Sequence, residues 1–379
     1  NQGKVFADLS LARGLSFHSE FGIDLTNQNE DRYWGPKTLT GNVSPDVKGV
    51  GRNQWYRSTR WITSNYFGYQ NVFAQKHKLD ATVGMSYESL KNVYSYVEGQ
   101  GYADEVLRTL ASVSEITGGD GTLDEDNLVS YFGRANYSFD QKVLLGVSAR
   151  VDGSARFGAD NRYGFFPAAS LGWIITEHDF MSGSSNWLSF LKPKVSYGLT
   201  GNNAIPSYRA RATYAPSTYA AQAGLSLANP GNSGLKWETT RQLDAGIEFG
   251  LFNNRLTGEF DYYVKKTKDL LYSRPVTAIS GITAILSNIG EMENKGVELV
   301  LNSTNISGKD FRWTTSLNIS RNKNKVLKLD GEQTVIRGDS RFANSIVVGQ
   351  PIGIFYGVKY AGVDPANGDA LYYEADGKT

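Results

Sequence analysis

The sequence predicts an all-β protein, folded as an antiparallel, up-and-down β-barrel that spans a membrane. Two observations lead to this prediction. Apolar residues alternate with small or polar residues along one segment after another, and a side-chain period of two is typical of β-strands. The connections between these segments are in turn short and long, as expected when every second connection lies on the same rim of a barrel.

The clearest pattern lies within residues 127–177. Alternate positions are apolar along 129–137 and again along 143–151, and the few residues between them suit a tight hairpin. A polar connection at 153–162 is followed by a third strand at 165–177. The rest of the chain repeats this order of strand, tight turn, strand, long polar loop and strand.

The same alternation predicts the remaining strands, which are 5–11, 15–27, 54–67, 78–88, 190–201, 235–251, 255–267, 291–305, 311–321 and 352–363. The other long connections are predicted at 27–53, 89–126, 202–234, 268–290 and 322–351, with a helical turn at 105–110. Pro193 lies inside a predicted strand. Because proline cannot donate to a ladder, we expect it at the beginning of that strand or at a bulge.

Composition excludes several classes of protein. The 379 residues include no cysteine, which rules out a disulfide framework and thiolate metal sites. The net charge is +1 and no long basic run occurs, so nucleic-acid binding has no support. No apolar run is long enough for a transmembrane helix, but a barrel strand needs only about 9–11 residues with alternate ones apolar.

In a barrel the apolar set would face lipid and the polar set a wet interior, because Arg or Lys at mid-bilayer costs about 2–4 kcal/mol. We therefore expect lumen-facing charges at Asp80, Glu88, Arg134, Arg150, Lys192, Lys194, Glu259, Asp261 and Lys265. Arg241 is in phase with apolar neighbours, and we expect it at the outer end of its strand, near the membrane interface. Aromatic residues at strand ends would form an interfacial girdle. Core aromatics of a soluble sandwich are the alternative.

The predicted strands number about thirteen, and an incomplete barrel would leave open strand edges in hydrocarbon. We therefore expect residues 1–379 to be part of one transmembrane barrel domain within a longer protein, with more strands outside this segment.

Several segments resemble the SusC/RagA family of TonB-dependent outer-membrane transporters of the Bacteroidota. The most extensive is YFGRANYSFDQKVLLGVSARVDGSARFGADNRYGFFPAASLGWIITEHDFM at 131–181, and others lie at 188–208, 229–271, 288–306, 311–326 and 348–373. The resemblance implies a barrel of about 22 strands with a plug, short periplasmic turns and long extracellular loops. The plug, the TonB box, the N-terminal domain and the last strands lie outside this segment.

The resemblance also implies a function and partners. The function is TonB-dependent, energy-coupled import of glycans, oligosaccharides or peptides across the outer membrane. The partners are a SusD-like surface lipoprotein acting as a lid, TonB with ExbB–ExbD through the absent N-terminal part, membrane lipid and lipopolysaccharide. The family places 352–373 in an extracellular loop and not in the wall. A passive or structural outer-membrane barrel and a soluble all-β glycan-binding protein are the alternatives.

Aromatic residues in the long loops are candidates for contact with substrate or lid, because exposed aromatics in polar loops often mark recognition surfaces. They are Tyr33, Trp34, Tyr214, Tyr219 and Tyr272. We do not expect an enzyme, because the histidines (His18, His77 and His178) form no Ser-His-Asp pattern. No cofactor is expected. Two acidic stretches, 120–126 and 364–369, could bind Ca²⁺ but lack EF-hand spacing.

Overall fold

The computed structural model describes residues 1–44, 49–184, 186–220, 222–277, 279, 281–331, 334–336 and 344–374. Most of these residues lie in β-strands, which we number in chain order: β1 Gln2–Ala12, β2 Leu15–Trp34, β3 Val50–Phe73, β4 His77–Tyr102, β5 Val113–Phe139, β6 Val143–Ser154, β7 Tyr163–Trp173, β8 Leu188–Asn202, β9 Thr213–Tyr219, β10 Gln222–Asn229, β11 Glu238–Leu251, β12 Leu256–Lys268, β13 Leu271–Pro275, β14 Ala284–Asn288, β15 Glu291–Ser307, β16 Arg312–Lys328, β17 Val335–Ile336, β18 Asn344–Val347, β19 Ile354–Phe355, β20 Tyr360–Val363 and β21 Ala370–Tyr372. The helices among them are 3₁₀ turns at Leu110–Ser112, Ala159–Asn161, Ile175–Glu177 and Asp179–Ser184. A helix with the length and apolarity needed to cross a membrane does not occur in the described part of the chain.

The chain divides into two compact units, and the boundary falls inside β7. The first unit holds residues 1–167, 203–237 and 276–285, and the remaining residues form the second. In the first unit β1 to β6 lie next to one another in chain order, and each neighbouring pair is antiparallel. In the second unit residues 168–172 of β7 pair with β8, and β8, β11, β12, β15 and β16 follow in order, all antiparallel. The up-and-down order predicted from the sequence is therefore confirmed within each unit.

Short turns and long connections alternate along both ladders. Tight turns join β1 to β2, β3 to β4, β5 to β6, β11 to β12 and β15 to β16. Gly14 adopts a φ of 77° in the first of these turns, a backbone conformation that residues with a Cβ atom rarely adopt. Because consecutive strands are antiparallel, all tight turns of a unit lie at one end of its ladder, where the second unit also has the 174–187 connection, and the other long connections lie at the opposite end. We call these the short-turn end and the long-loop end.

Strand register gathers the apolar residues into rows. Residues paired directly across antiparallel strands point to the same face. In the second unit Ile247 pairs with Pro193 on one side and Phe260 on the other, and Phe260 pairs in turn with Leu299. Along β11 the apolar positions of this face extend from Leu243 to Leu251. The length of this segment agrees with the roughly 9–11 residues that a strand needs to cross a bilayer. We call this side of the sheet the apolar face.

The apolar rows end where Arg241 lies, at the long-loop end of β11. Arg241 pairs with Leu199 and with Lys266, and Lys266 pairs with Glu293. The Lys266 Nζ lies 3.5 Å from a Glu293 carboxylate oxygen. Arg241 thus begins a charged row beyond the apolar rows, and its predicted position at the outer end of the strand is confirmed.

The predicted long loops at 27–53 and 89–126 are wrong over much of their length. Strand β2 continues to Trp34 and β3 begins at Val50, while β4 continues to Tyr102 and β5 begins at Val113. These extensions carry polar residues on both faces, so the alternation of apolar and polar residues disappears although the ladder continues. Cross-strand pairs such as Gln54 with Glu30, with an Nε2–Oε2 distance of 2.6 Å, accompany the backbone ladder there.

The last predicted strand, 352–363, is also wrong. The segment holds two short strands, β19 and β20, of which β19 pairs with β18 and β20 pairs with β21. Gly353 and Gly362 have φ values of 77° and 131° within the segment, a conformation that interrupts a regular strand. This stretch therefore forms small loop hairpins, as the family resemblance implies for 352–373.

Three smaller differences concern strand and helix ends. The predicted strand 165–177 ends at Trp173, because the chain turns into 3₁₀ helices at Ile175–Glu177 and Asp179–Ser184. The helical turn expected at 105–110 occurs instead as the 3₁₀ helix Leu110–Ser112. Pro193 pairs with Ile247 of β11, while the ladder with β7 ends one residue away at Lys194. The proline therefore stands at the end of one ladder, which suits its missing N–H.

Buried apolar side chains of the described chain lie mainly in and beside the long connections. In the first unit they are Val50, Phe157, Phe166, Ile205, Ala210, Leu235 and Trp237. In the second unit a cluster of Ile289, Val326, Leu329 and Ile336 is covered by Tyr272, Ile346 and Val348. The strands themselves leave large apolar side chains exposed, for example Val83 at 61% and Ile247 at 44%.

Candidate functional site

The charges expected in the lumen share one side of the ladder in each unit, which we call the polar face. In the first unit, Asp80 and Glu88 lie on β4 with the same parity, and Arg134 pairs across the ladder with Thr82. In the second, Lys194 pairs with Gly246, which pairs with Asp261. The strand register therefore places these charges on the face of the sheet opposite the apolar rows.

Lys194 is the centre of a charge network on the polar face of the second unit. Its Nζ contacts a carboxylate oxygen of Glu259 and lies 3.1 Å from Asp261 Oδ1. Glu248 lies between two lysines, with its Oε1 at 2.8 Å from Lys192 Nζ and 3.7 Å from Lys194 Nζ. Three neighbouring strands are thus connected by ionic contacts on one side of the sheet.

The first unit carries two comparable groups. Arg60 makes a bidentate contact with Glu88, in which both N–O distances are 2.8 Å. Arg150 donates to Asp152 at 2.6 Å and to the hydroxyl of Ser130 at 2.8 Å, and Ser130 is only 1% exposed. A planar guanidinium group suits the two-point contact that Arg60 makes with the Glu88 carboxylate.

The other three expected charges have polar or aromatic surroundings. Asp80 is opposite Gln70 and Asn136, and Arg134 is opposite Thr82 and Ser148. The Lys265 Nζ lies 5.0 Å from the centre of the Tyr263 ring. All nine expected charges therefore lie on the polar face, in separate groups along the strands.

An aromatic ladder crosses the polar face of the first unit, and the alternation of apolar and polar residues does not predict it. The His18 ring stacks on Tyr66 at 4.7 Å and on Phe6 at 6.0 Å, and Tyr66 lies 6.4 Å from Phe132. His18 Nδ1 also lies 2.6 Å from Asp8 Oδ1. The polar face thus combines charges with ring surfaces.

The loop aromatics differ in exposure. Tyr214 and Tyr219 lie on the hairpin of β9 and β10 and are 64% and 87% exposed. Tyr272 packs against the buried cluster of the second unit, and Trp34 is half-buried at the end of β2.

Tyr33 is also half-buried and packs edge-on against Tyr102, with ring centres 5.1 Å apart. Tyr102 ends the extension of β4, beyond the apolar rows. Burial raises the pKa of Tyr102 above its ordinary value, and Tyr33 and Asp31 act in the same direction. Only Tyr214 and Tyr219 among the five candidates are largely open to a macromolecular partner.

A largely buried group of side chains, which we call the packed base, holds the long connection 203–237 against the connection after β6. Arg156 donates to Asp126 Oδ2 at 2.8 Å and to the backbone carbonyl of Asn203 at 3.2 Å. Trp237 packs on Phe157 and Phe166 with ring centres 5.2 and 5.3 Å away. Its indole N–H donates to a backbone carbonyl at 2.8 Å.

His77 and His178 each contact an aromatic side chain, and the two acidic stretches lie in a strand and in a turn. His77 Nδ1 lies 2.7 Å from the Tyr137 hydroxyl, and Trp173 donates to His178 Nε2 at 2.9 Å. Residues 120–126 lie in β5, where Asp120, Asp124 and Asp126 share one face along the strand and Glu125 points to the other. The Asp364–Asp369 stretch folds into a turn in which Asp364 accepts the N–H of Ala366. Among the residues that the structure describes, no group of three or more His, Cys, Asp or Glu is placed to hold a metal ion.

Comparison with known proteins identifies the family. The sequence profile described as "TonB dependent receptor-like, beta-barrel" matches residues 4–374. The chain is 36% identical to TonB-dependent receptor P3 of Formosa agariphila over 96% of its own length and 37% of that protein. It is 39% identical to the TonB-dependent receptor SusC of Bacteroides thetaiotaomicron over 60% of its own length and 24% of SusC.

A solved structure has the same fold. The structure of the RagAB peptide transporter superposes with a TM-score of 0.87 and 31% sequence identity, over 99% of this chain and 42% of the other. The chain therefore spans well under half the length of these relatives. These similarities contradict the alternative of a soluble all-β protein. The chain belongs to the SusC/RagA-type TonB-dependent receptors of the outer membrane and carries part of their transmembrane β-barrel.

Proposed function

We propose that this chain is part of the wall and extracellular rim of a TonB-dependent importer of nutrients. The observation that carries the proposal is the two-sided ladder, with uncovered apolar rows on one face and charges paired across strands on the other. A wall between lipid and a water-filled lumen needs this distribution, because charges in hydrocarbon are costly and paired charges in water are not.

The polar face lines the lumen in this proposal. The Lys194 network and the Arg60–Glu88 and Arg150–Asp152 pairs connect neighbouring strands there. Their charges largely cancel, so they leave a hydrated wall and no strong single-sign field. Such a wall can pass a solute without holding it. Asp80, Arg134 and Lys265 belong to the same surface.

The proposed partners are a SusD-like lipoprotein, which would close the extracellular mouth, and TonB with ExbB–ExbD, which would act through the part of the protein that precedes this segment. Support comes from the similarity to SusC and to the RagAB peptide transporter. Tyr214 and Tyr219 are our first candidates for contact with the lid or the substrate, because their rings are the most exposed of the loop aromatics. No bond chemistry is assigned to any residue of the chain.

Uptake by whole cells tests the function. In the bacterium that carries the gene, we expect deletion to abolish accumulation of a labelled glycan or peptide nutrient, and the full-length gene to restore it. A protonophore and deletion of tonB should each abolish accumulation in the restored strain. Uptake that continues without TonB would overturn energy coupling and favour a passive barrel.

The two substrate classes need separate arms of this experiment. Labelled oligosaccharides and labelled peptides are offered to the same strains, singly and together. Loss of one class alone on deletion identifies the cargo. A result in which deletion changes the accumulation of neither oligosaccharides nor peptides, although the protein is abundant in the outer membrane of the undeleted strain, would contradict the import function. A structural role would then be favoured.

A further inference from the structure

The outer parts of β2 to β5 form a sheet that extends far beyond the membrane. The apolar positions of β4 end near Tyr87, but the strand continues to Tyr102, and β5 pairs with it from Val113 onward. About 9–11 residues are enough to cross the bilayer. The remaining length projects from the long-loop end, which is the extracellular end of such barrels.

Three tyrosines lie together on the polar face of this extension, and we call them the tyrosine platform: Tyr56, Tyr94 and Tyr96. Tyr56 pairs directly with Tyr94 across the ladder. The Tyr94 and Tyr96 rings lie 6.1 Å apart along β4. All three side chains are only half-buried, so ring surface remains accessible.

Amide side chains hold the phenol groups in position. The Tyr56 hydroxyl donates to Asn92 Oδ1 at 3.1 Å, and the Tyr94 hydroxyl donates to Gln54 Oε1 at 3.3 Å. Gln54 Nε2 donates in turn to Glu30 at 2.6 Å. The register adds Gln28 and Thr122 to the row of Tyr56 and Tyr94. The platform therefore has uncharged, already oriented hydrogen-bonding groups beside it, and the register also places Asp120 opposite Tyr96 and Asp124 opposite Asn92.

The arginines beside the platform are paired with glutamates, and Asp120 and Asp124 add negative charge on the same face. Arg52 Nη2 lies 2.6 Å from Glu98, and its guanidinium lies 4.5 Å from the centre of the Tyr96 ring. Arg32 contacts Glu30. A stacked, ion-paired arginine fixes the Tyr96 ring by covering one of its faces. With both arginines neutralised and two aspartates on the same face, the surface has little to attract an anionic ligand.

We propose that the tyrosine platform binds a neutral oligosaccharide on the extracellular side of the protein. Aromatic rings pack on the C–H faces of sugar rings, and amide and hydroxyl side chains exchange hydrogen bonds with sugar hydroxyls. Two rings 6.1 Å apart suit successive sugar units of a chain. This inference rests on the proposed import function, for which it names the substrate class and its capture site.

The opposite face of the same strands provides a matched control. Trp55, next to Tyr56 in β3, points to the other side and is 45% exposed. The row that contains Trp55 includes Asn29 and Ser95. Substituting Trp55 removes an aromatic ring from the same part of the sheet without touching the platform.

Binding to the purified full-length protein in detergent tests the proposal independently of transport. The probes are cellohexaose, xylohexaose, mannohexaose and maltohexaose, measured one at a time by calorimetry, with an uncharged hexapeptide as the peptide arm. We expect at least one hexasaccharide to bind and the hexapeptide not to compete. Tyr56→Ala and Tyr94→Ala should each weaken that binding about tenfold, because each removes an aromatic ring on which a sugar unit would pack.

Two variants separate ring stacking from loss of fold. Tyr94→Phe keeps the ring and should stay within about threefold of the unmodified protein, and Trp55→Ala should not change the affinity. Heat-modifiable gel mobility shows whether each variant retains a folded barrel. The proposal is overturned if none of the hexasaccharides binds, if Tyr56→Ala and Tyr94→Ala bind as well as the unmodified protein, or if Trp55→Ala is equally damaging.

The two proposals can fail separately. If a hexasaccharide binds through the platform but cells import nothing in a TonB-dependent way, the binding site stands and the import function fails. If cells import peptides with TonB while no hexasaccharide binds, the import function stands and the platform proposal fails.

Discussion

The first unit builds its extracellular side in two different ways. The extensions of β2 to β5 prolong the sheet and bury almost nothing apolar, since their side chains are mostly half-buried or exposed. The connection 203–237 instead rests on buried side chains, of which Leu235 is 0% and Phe157 2% exposed. Both constructions place a defined surface outside the membrane, but they depend on different interactions.

The difference shows what each construction needs. In a ladder nearly every backbone N–H and C=O has a partner, so order persists without a core and both faces remain available for polar groups. An irregular connection lacks those repeated bonds and must offset its conformational entropy by burial. The extension therefore suits a binding surface, and the packed base suits a support for an exposed hairpin.

The same substitution in both regions gives the largest expected contrast. Trp237→Ala removes a ring that is 7% exposed and packed on Phe157 and Phe166, and should cost about 3–5 kcal/mol locally. Trp55→Ala, on the extension, should cost about 0.5 kcal/mol. Hydrogen exchange of the full-length protein in detergent should show faster exchange over 203–237 for the first variant only. Similar exchange in both variants would contradict the comparison.

The membrane boundary can be tested with paired lysines on the apolar face. Ile247→Lys places a charge in the middle of the apolar rows and should cost about 2–4 kcal/mol, whereas Leu199→Lys, beside Arg241, should cost about 0–1 kcal/mol. Urea titration of the full-length protein refolded in lipid vesicles measures both. If the two variants lose equal stability, the apolar rows do not end at Arg241.

The charge network of the polar face should respond unequally to loss of its two lysines. Lys194→Met leaves Glu259 and Asp261 without their shared partner and should cost about 1.5–3 kcal/mol. Lys192→Met removes one contact with Glu248 and should cost about 0.2–1 kcal/mol. The same urea titration applies. Adding Glu259→Gln to Lys194→Met should recover part of the loss, and a further loss would show that repulsion between carboxylates is not the cause.

Much of the wall could be predicted from the sequence because lipid and water impose opposite demands on neighbouring residues. Val143 to Val151 and the alternation around Lys192 and Lys194 were sufficient to locate their strands and faces. The alternation of apolar and polar residues no longer locates the strands where lipid on one face gives way to water. Beyond Tyr87 both faces meet water, so the strand that continues to Tyr102 appeared to be a loop. Tyr94 and Tyr96 of the platform were missed for that reason, although they keep the parity of Glu88.

The packed connections could not be predicted for a different reason. The contact of Trp237 with Phe157 joins positions far apart in the chain, and no local period encodes it. The same applies to Arg156 and Asn203. Composition identified these stretches as polar loops, whereas their buried aromatic residues become visible only once the strands bring the connections together.

The smallest expected change in stability belongs to the exposed hairpin that the packed base supports. Tyr219 is 87% exposed and pairs with Gln222 at the end of the hairpin, so Tyr219→Ala should alter unfolding by no more than about 0.5 kcal/mol. Because the proposed import requires contact with a lid or substrate, the same variant should nevertheless reduce uptake in the whole-cell assay. Ser217→Ala, on the same face of the hairpin, is the control and should leave uptake unchanged. Normal uptake by Tyr219→Ala would mean that this hairpin has no role in recognition and that capture depends on the sheet extension alone.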